Sequence, residues 1–253
     1  MPRFFVSKDA VSADNITITG ADAHHIARSL RMAVGDGITV CDMDKIEYQC
    51  TLCRITDTEV EAEILSSYAS ATEPQYLATV YQALPKGDKL DSIIQKAVEC
   101  GVYAIVPFES DRCVVRVKPE AEQKKTDRRC KIAVEAAKQS GRGILPEVKE
   151  TISFEKMLED ASKADVKLFC YEGEGTMPLG KVLPVDAMKR MIEEGRTPTV
   201  SIVIGSEGGF STSEVESAIQ AGMTPIGLGK RILRTETAAS FVLSALVYAL
   251  ELS

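Results

Sequence analysis

Two short stretches near the C-terminus concentrate residue types that can do chemistry. Ile204-Gly-Ser-Glu-Gly-Gly-Phe210 sets Glu207 among Gly205, Gly208 and Gly209, and glycines of this kind let the backbone approach a ligand closely. An apolar run at residues 200–205 precedes it, and Ser211-Thr-Ser-Glu214 follows as a capping box that opens a helix. A ligand loop and a plain turn both account for the glycines. Leu228-Gly-Lys-Arg-Ile-Leu-Arg-Thr-Glu-Thr237 leads into an apolar last helix. There Thr235 suits the cap and Glu236 the first turn. Capping does not explain Arg231 and Arg234, whose charge opposes the dipole at a helix start, so these two suit a functional role. A third stretch, Phe169-Cys-Tyr-Glu-Gly-Glu-Gly175, has similar glycine-rich character. Standard dinucleotide, P-loop and nucleophile-elbow patterns do not fit, which disfavours a nucleotide-dependent dehydrogenase or a hydrolase.

The elements that must position these stretches follow from periodicity. From about residue 76, apolar runs at 77–84, 102–108, 166–171, 200–205 and 225–228 alternate with helical spacing such as Leu90, Ile93, Ile94, Ala97 and Val98. This predicts a mostly parallel sheet covered by helices. Ligands of such sheets bind beyond the carboxyl ends of the strands, where all three stretches fall. The helix after the capping box is expected to turn Val215, Ala218 and Ile219 inward. Residues 1–72 read differently: Ile16 and Ile18 alternate with Thr, and Val60, Ala62 and Ile64 with Glu, while residues 38–41 and 46–52 follow turn signals. Four or five short strands and one helix suggest a small barrel. The small, polar tract before Pro74 divides the chain into 1–72 and 73–253.

Of 253 residues, 45% are apolar, and 30 Lys and Arg stand against 37 Asp and Glu, a net charge of −7. The balance excludes disordered and fibrous classes and argues against indiscriminate affinity for nucleic acid. The acidity is local. Residues 36–73 hold nine acids and two bases, whereas residues 112–142 hold ten bases and four acids. On a helix expected over about 22–32, His24, Arg28 and Arg31 oppose Ala23, Ile26 and Leu30. On another over about 119–140, Lys124, Arg128, Lys131, Glu135 and Lys138 repeat at helical spacing, with Arg142 just beyond. A charged stripe is usually a solvated face, but two basic helices tilt the reading toward RNA phosphates. Seven scattered cysteines form no disulfide framework and fit a reducing cytoplasm. Cys50-Thr-Leu-Cys53 has metal-ligand spacing without a second pair, so no metal is expected. The N-terminal apolar run is too short for a signal peptide, and residues 238–252 are too few to cross a bilayer. A cytoplasmic protein with no membrane partner is expected.

Arg3-Phe4-Phe5, His25-Ile-Ala-Arg28-Ser-Leu-Arg31-Met32, Lys86-Gly-Asp-Lys-Leu90, Ile94-Gln-Lys-Ala-Val-Glu99, Glu135-Ala-Ala-Lys-Gln139-Ser-Gly-Arg142 and the two C-terminal stretches together resemble the RsmE family. Its members are 16S ribosomal RNA uridine-N3 methyltransferases of the SPOUT superfamily. The similarity spans nearly the whole chain, and Ser206 stands where family members often carry proline. The resemblance implies an α/β protein: an N-terminal PUA-like RNA-binding β-barrel over 1–72 and a SPOUT domain over 73–253. A deep trefoil knot would hold S-adenosylmethionine, a threading that general topology rules would exclude. It implies cofactor contacts at Tyr171, Ile204, Gly205, Glu207, Gly208, Gly209, Leu228, Gly229, Ile232, Leu233 and Thr237. It also implies a homodimer formed through the last helix, consistent with apolar Ala238, Val242, Ala245, Leu246 and Ala249. The target would be one uridine in the decoding region of 16S ribosomal RNA, naked or within the assembled small subunit.

Uracil N3 is an imide nitrogen that bears a proton, and methyl transfer needs its lone pair. Arg234 is expected to stabilise the developing oxyanion and Glu236 or Glu207 to accept the proton. RNA contacts are expected from Arg3, His25, Arg28, Arg31, Lys86, Arg112, Lys124, Arg128, Lys131 and Arg142. A related enzyme acting on transfer RNA, or a non-catalytic ribosome-assembly factor, would share many of these features.

Overall fold

The computed structural model describes residues 1–253, the side chain of Pro119 excepted. The chain forms two compact units, Met1–Glu73 with Ala137–Leu145, and Pro74–Ala136 with Pro146–Ser253.

In the first unit, β1 (Arg3–Phe5) runs parallel to β3 (Gly37–Cys41). From β3 the ladder continues antiparallel through β4 (Ile46–Ile55), β5 (Glu59–Ala69) and β2 (Asn15–Thr19). The result is a curled, PUA-like half-barrel. Alternation decides which face is buried: Ile16, Ile18, Ile38, Val40, Leu52, Val60 and Ala62 fill the core while Thr17, Glu61 and Glu63 lie on the other face, where Thr39 is also covered. Cys50 is buried in that core and Cys53 is exposed.

The helix expected over 22–32 is shorter and bent. α1 (Gly20–His24) passes into a wide turn over His25–Ser29, where the Leu30 N–H donates to the His25 carbonyl at 2.9 Å. A widened turn shifts the phase of everything after it. Ala23 and Ile26 are buried as the spacing requires, but Leu30 is exposed, and Arg31, at φ +51°, leaves the line of His24 and Arg28. The continuous basic face of His24, Arg28 and Arg31 is therefore not formed.

The second unit has the α/β architecture that the alternation predicts. Its parallel sheet runs β11 (Met177–Pro178), β13 (Thr224–Gly227), β10 (Val166–Cys170), β12 (Thr199–Ile204), β6 (Leu77–Ala83), β7 (Ala104–Glu109) and β8 (Glu147–Val148), with β9 (Ile152–Ser153) also paired to β7. All five strands expected here are present. The three others have two residues each, too few to show a period. Val200, Ser201, Ile202, Val203 and Ile204 are all buried, as in a parallel strand covered on both faces. The chain runs outward from β6 to β7 and later fills the other side of β6, so the carboxyl ends of β6 and β12 flank the point where strand order reverses.

α2 (Lys89–Glu99) buries the expected stripe of Leu90, Ile93, Ile94, Ala97 and Val98. Next come α3 (Pro119–Ser140), whose last turn belongs to the first unit, and α4 (Phe154–Ala161), capped by Ser153. α5 (Leu179–Val182) and α6 (Val185–Glu193) precede β12. α7 (Thr212–Gln220) starts with the expected capping box, Ser211 with Glu214, but buries Glu214 and Ala218 rather than Val215 and Ile219. The Glu214 carboxylate accepts N–H bonds from Ser211 and Asp111, both at 2.8 Å, and this turns that edge of the helix inward. α8 (Thr235–Glu251) buries Ala238, Ala239, Val242, Leu243 and Leu246 and packs on α2. Among the described residues no helix is long and apolar enough to cross a membrane.

Candidate active site

Three loops leave the carboxyl ends of β10, β12 and β13 and enclose one cavity of about 810 Å³ within the second unit. They are the three glycine-bearing stretches singled out by residue type. Tyr171, Ile204, Gly205, Glu207, Gly208, Gly209, Leu228, Gly229, Ile232 and Leu233 all line it, as do Arg234 and Glu236. Thr237 does not: it sits one residue further into α8, exposed.

The loop after β12 is folded tightly. The Gly209 N–H donates to the Ser206 carbonyl at 2.9 Å, with Gly209 at φ +65°, a conformation that favours glycine. A Cβ on Gly208 would stand 3.0 Å from Arg112 Cβ and 3.1 Å from its carbonyl oxygen, a tight approach that favours glycine here too. Arg112 closes the contact by donating to the Gly208 carbonyl at 3.2 Å. Phe210 anchors the loop in the core, its ring centroid 4.3 Å from that of Phe169. Ser206 keeps the turn, with its hydroxyl 3.5 Å from the Arg112 carbonyl.

Thr235 is not the cap of α8. Arg234 occupies the cap position, and the Thr235 hydroxyl donates instead to the Gly205 carbonyl at 2.7 Å while accepting from Gln82 at 2.9 Å. Gln82, fully buried on β6, also donates to the Ala83 carbonyl at 3.0 Å. This buried polar link ties the start of α8 to the loop after β12. A lone Gln in an apolar strand run was its only trace in the sequence.

Four charged side chains gather at the rim. Glu207 accepts from the Lys86 N–H at 3.1 and 3.3 Å on its two oxygens, and from Lys89 Nζ at 2.7 Å. Burial alone would raise the Glu207 carboxyl, but hydrogen bonds from Lys89 and from backbone N–H groups outweigh it and hold the group below its ordinary range. The Lys89 ammonium is raised by the same hydrogen bond, against a smaller opposing effect of desolvation. Glu236 lies between two cations, with Oε2 3.9 Å from Lys89 Nζ and Oε1 3.9 Å from Arg234 Nη1. Its Oε2 is buried without a hydrogen-bond partner. Arg234 itself is 83% exposed. Residue type alone did not single out Lys89; the Lys86-Gly-Asp-Lys-Leu90 segment of the resemblance was the available signal.

The cations expected to meet RNA fall into different settings. In the second unit Lys86, Arg112, Lys124 and Lys131 are exposed, and Arg128 is exposed while paired with Asp91 at 2.5 and 3.0 Å. In the first unit His25 and Arg31 are exposed, and Arg28 makes a bidentate surface pair with Asp57. Arg3 is largely buried against Glu47 at 2.9 Å. Arg142, only 3% exposed, donates to both oxygens of Glu73 at 2.8 Å, so it braces the fold and offers little surface to a phosphate. Lys138 is likewise engaged, with Asp22 at 2.8 Å and over the Phe4 ring.

Residues 72–247 match the RNA methyltransferase domain and residues 18–65 the RNA methyltransferase PUA domain. Ribosomal RNA small subunit methyltransferase E of Bacillus subtilis is 35% identical over 255 residues, covering 100% of this chain and 98% of that protein. The chain belongs to the RsmE family. A structure of the RsmE protein of Neisseria gonorrhoeae bound to S-adenosyl methionine superposes with a TM-score of 0.85 at 29% identity, covering 99% of this chain and 98% of that one. A Legionella pneumophila protein in complex with the same cofactor gives a TM-score of 0.83 at 28% identity, covering 98% of this chain and 97% of that one. The RsmE assignment accounts for the SPOUT arrangement of the second unit and the PUA-like sheet of the first.

Proposed function

We propose that this chain methylates N3 of a uridine in 16S ribosomal RNA, using S-adenosylmethionine bound in the cavity of the second unit. The observation that carries the reading is the convergence of all three strand-end loops on one cavity whose rim holds Glu236, its buried Oε2 left without a hydrogen-bond partner. The lining fits the cofactor chemically. Backbone at Leu228, Gly229 and Leu233 suits an adenine edge, and carboxylates at Glu207 and Glu236 suit a cationic ligand. When bound, the cofactor supplies an electrophilic methyl group.

The chain's own residues supply the rest. Glu207 has both oxygens engaged and its carboxyl held low, which makes it a poor proton acceptor. Glu236 is therefore the base: its carboxylate takes the N3 proton, and the nitrogen lone pair becomes free to attack. Arg234, next to Glu236, is placed to meet charge that develops on the adjoining carbonyl oxygen. Arg112, Lys86, Lys230 and Arg231, exposed around the cavity, would take RNA phosphates. Threading of the C-terminal loops into a trefoil knot and action in the cytoplasm belong to the same reading. So does a homodimer through α8, which leaves Phe241 and Tyr248 exposed, whereas Ala238, Val242 and Leu246 of the expected face are buried within the protomer.

Incubating the protein with labelled S-adenosylmethionine and small-subunit RNA, then locating the label by mass spectrometry, tests the proposal. One N3-methyluridine is expected. Label on transfer RNA alone, or none on either RNA, would refute it.

A further inference from the structure

We propose that Lys89 is a positioning residue of this site, holding Glu207 in place so that Glu236 alone faces the reacting base as proton acceptor. The inference rests on the methyl-transfer reading above and extends it to a residue that residue type alone did not single out.

Lys89 opens α2, where a positive charge works against the helix dipole, so its helix gives no local reason for the choice. The preceding turn delivers it, with Gly87 at φ +64° placing the Lys86 N–H and the Lys89 ammonium on the same carboxylate. Glu207 is thereby gripped by a main-chain donor and a side-chain cation from one four-residue segment. The ammonium also stands 3.9 Å from Glu236 Oε2, beyond hydrogen-bond distance but close enough for charge to act. Without Lys89 Glu207 would keep only main-chain donors such as the Lys86 N–H, and Arg234, the remaining cation paired with Glu236, is mostly in solvent. Glu207, released from the ammonium, would be free to compete with Glu236 for the N3 proton. With Lys89 present, Glu207 balances the ammonium, and Glu236 can gain the N3 proton and lose its charge without leaving a cation uncompensated.

The other charged groups lining the cavity are Arg234 and Glu236 at the start of α8, Lys230 and Arg231 before it, Glu172 after β10, and Arg112 across the loop from Glu207. They are unchanged by substitution at Lys89. Lys89→Met should lower kcat for methyl transfer by about 100-fold, the scale of losing one preorganised electrostatic group. KM for RNA and calorimetric affinity for S-adenosylmethionine should stay within about threefold of wild type, because Lys89, though it lines the cavity, has its ammonium engaged on Glu207 at 2.7 Å. Lys89→Arg should recover about tenfold of the loss. A carbon-detected NMR titration of the glutamate carboxyls needs no turnover: Glu207 should titrate at higher pH in Lys89→Met than in wild type. Wild-type kcat in Lys89→Met, or a Glu207 titration identical to wild type, would overturn the proposal. So would loss of cofactor binding in step with activity. If Lys89→Met does not fold, Lys89→Gln carries the same comparison. Failure of the wild-type protein to methylate RNA would refute the proposed function, while the titration would still judge Lys89.

Discussion

The Arg142 to Glu73 pair allows a sharp test of how this chain uses its arginines. Both side chains are 4% exposed. The Glu73 carboxylate accepts from Arg142 Nε and Nη2 at 2.8 Å each, from the Gly143 N–H at 2.7 Å and from the Ile144 N–H at 3.3 Å. Glu73→Gln keeps the shape but leaves a buried guanidinium without its counter-charge, a change that costs about 3–5 kcal/mol. At about 1.36 kcal/mol per decade, protected amides of β3 and β4 should exchange roughly 100- to 5,000-fold faster at neutral pH if they exchange through opening of the whole unit. Hydrogen exchange is the suitable assay because it reads the first unit separately from the second, where a single denaturation curve would blend them. Burial raises the Glu73 carboxyl, but Arg142 and the two N–H groups outweigh it, so the folded-state value lies below the ordinary range. A depressed carboxyl contributes stability that is complete above the unfolded value, about 4.3, and is lost as pH falls through the folded value. The gap between wild type and Glu73→Gln should therefore be full at pH 7 and close only in acid below that range. Replacing both residues, Glu73→Leu with Arg142→Met, should cost less than Glu73→Gln alone. Less than tenfold acceleration in Glu73→Gln, or a gap that persists unchanged at pH 3, would refute the reasoning.

Glu236→Gln should reduce methyl transfer at least about 100-fold with calorimetric affinity for S-adenosylmethionine little changed; activity within threefold of wild type would remove Glu236 as the base. Thr235→Val deletes the bonds to Gly205 and Gln82 and leaves their polar groups buried. A loss of about 1–3 kcal/mol in stability, read by urea unfolding, should accompany weaker cofactor binding. Arg112→Gln should weaken RNA binding and reduce the slope of log affinity against log salt by about 1. Arg142→Met should leave that slope unchanged in whatever fraction remains folded. Arg234→Ala should fold normally, since the side chain is mostly in solvent, and should lower kcat; unchanged turnover would take it out of the mechanism.

The longer strands of both units were legible in the sequence because each carries its burial pattern along its own length. Ile16 and Ile18, or the run ending at Ile204, declare their surroundings within a few residues. The site was legible to the extent that it lies where strands end: glycines, Glu207, Arg234 and Glu236 stand in two stretches that any parallel sheet would bring to one edge. Composition also located the acidity in residues 36–73 and the excess of base in residues 112–142. Burial and pairing were beyond its reach. Arg142 and Lys124 look alike as basic residues at helical spacing, yet one meets Glu73, distant in sequence, inside the first unit and the other meets water. Thr235 looks like a helix cap until Gln82 on β6 and Gly205 after β12 arrive beside it. Glu207 and Glu236 look like equivalent bases until Lys86 and Lys89 occupy one and leave an oxygen of the other without a partner. Periodicity is a local property that each segment carries along its own length. The charge state and reach of a side chain depend on partners that only folding brings within a few ångströms.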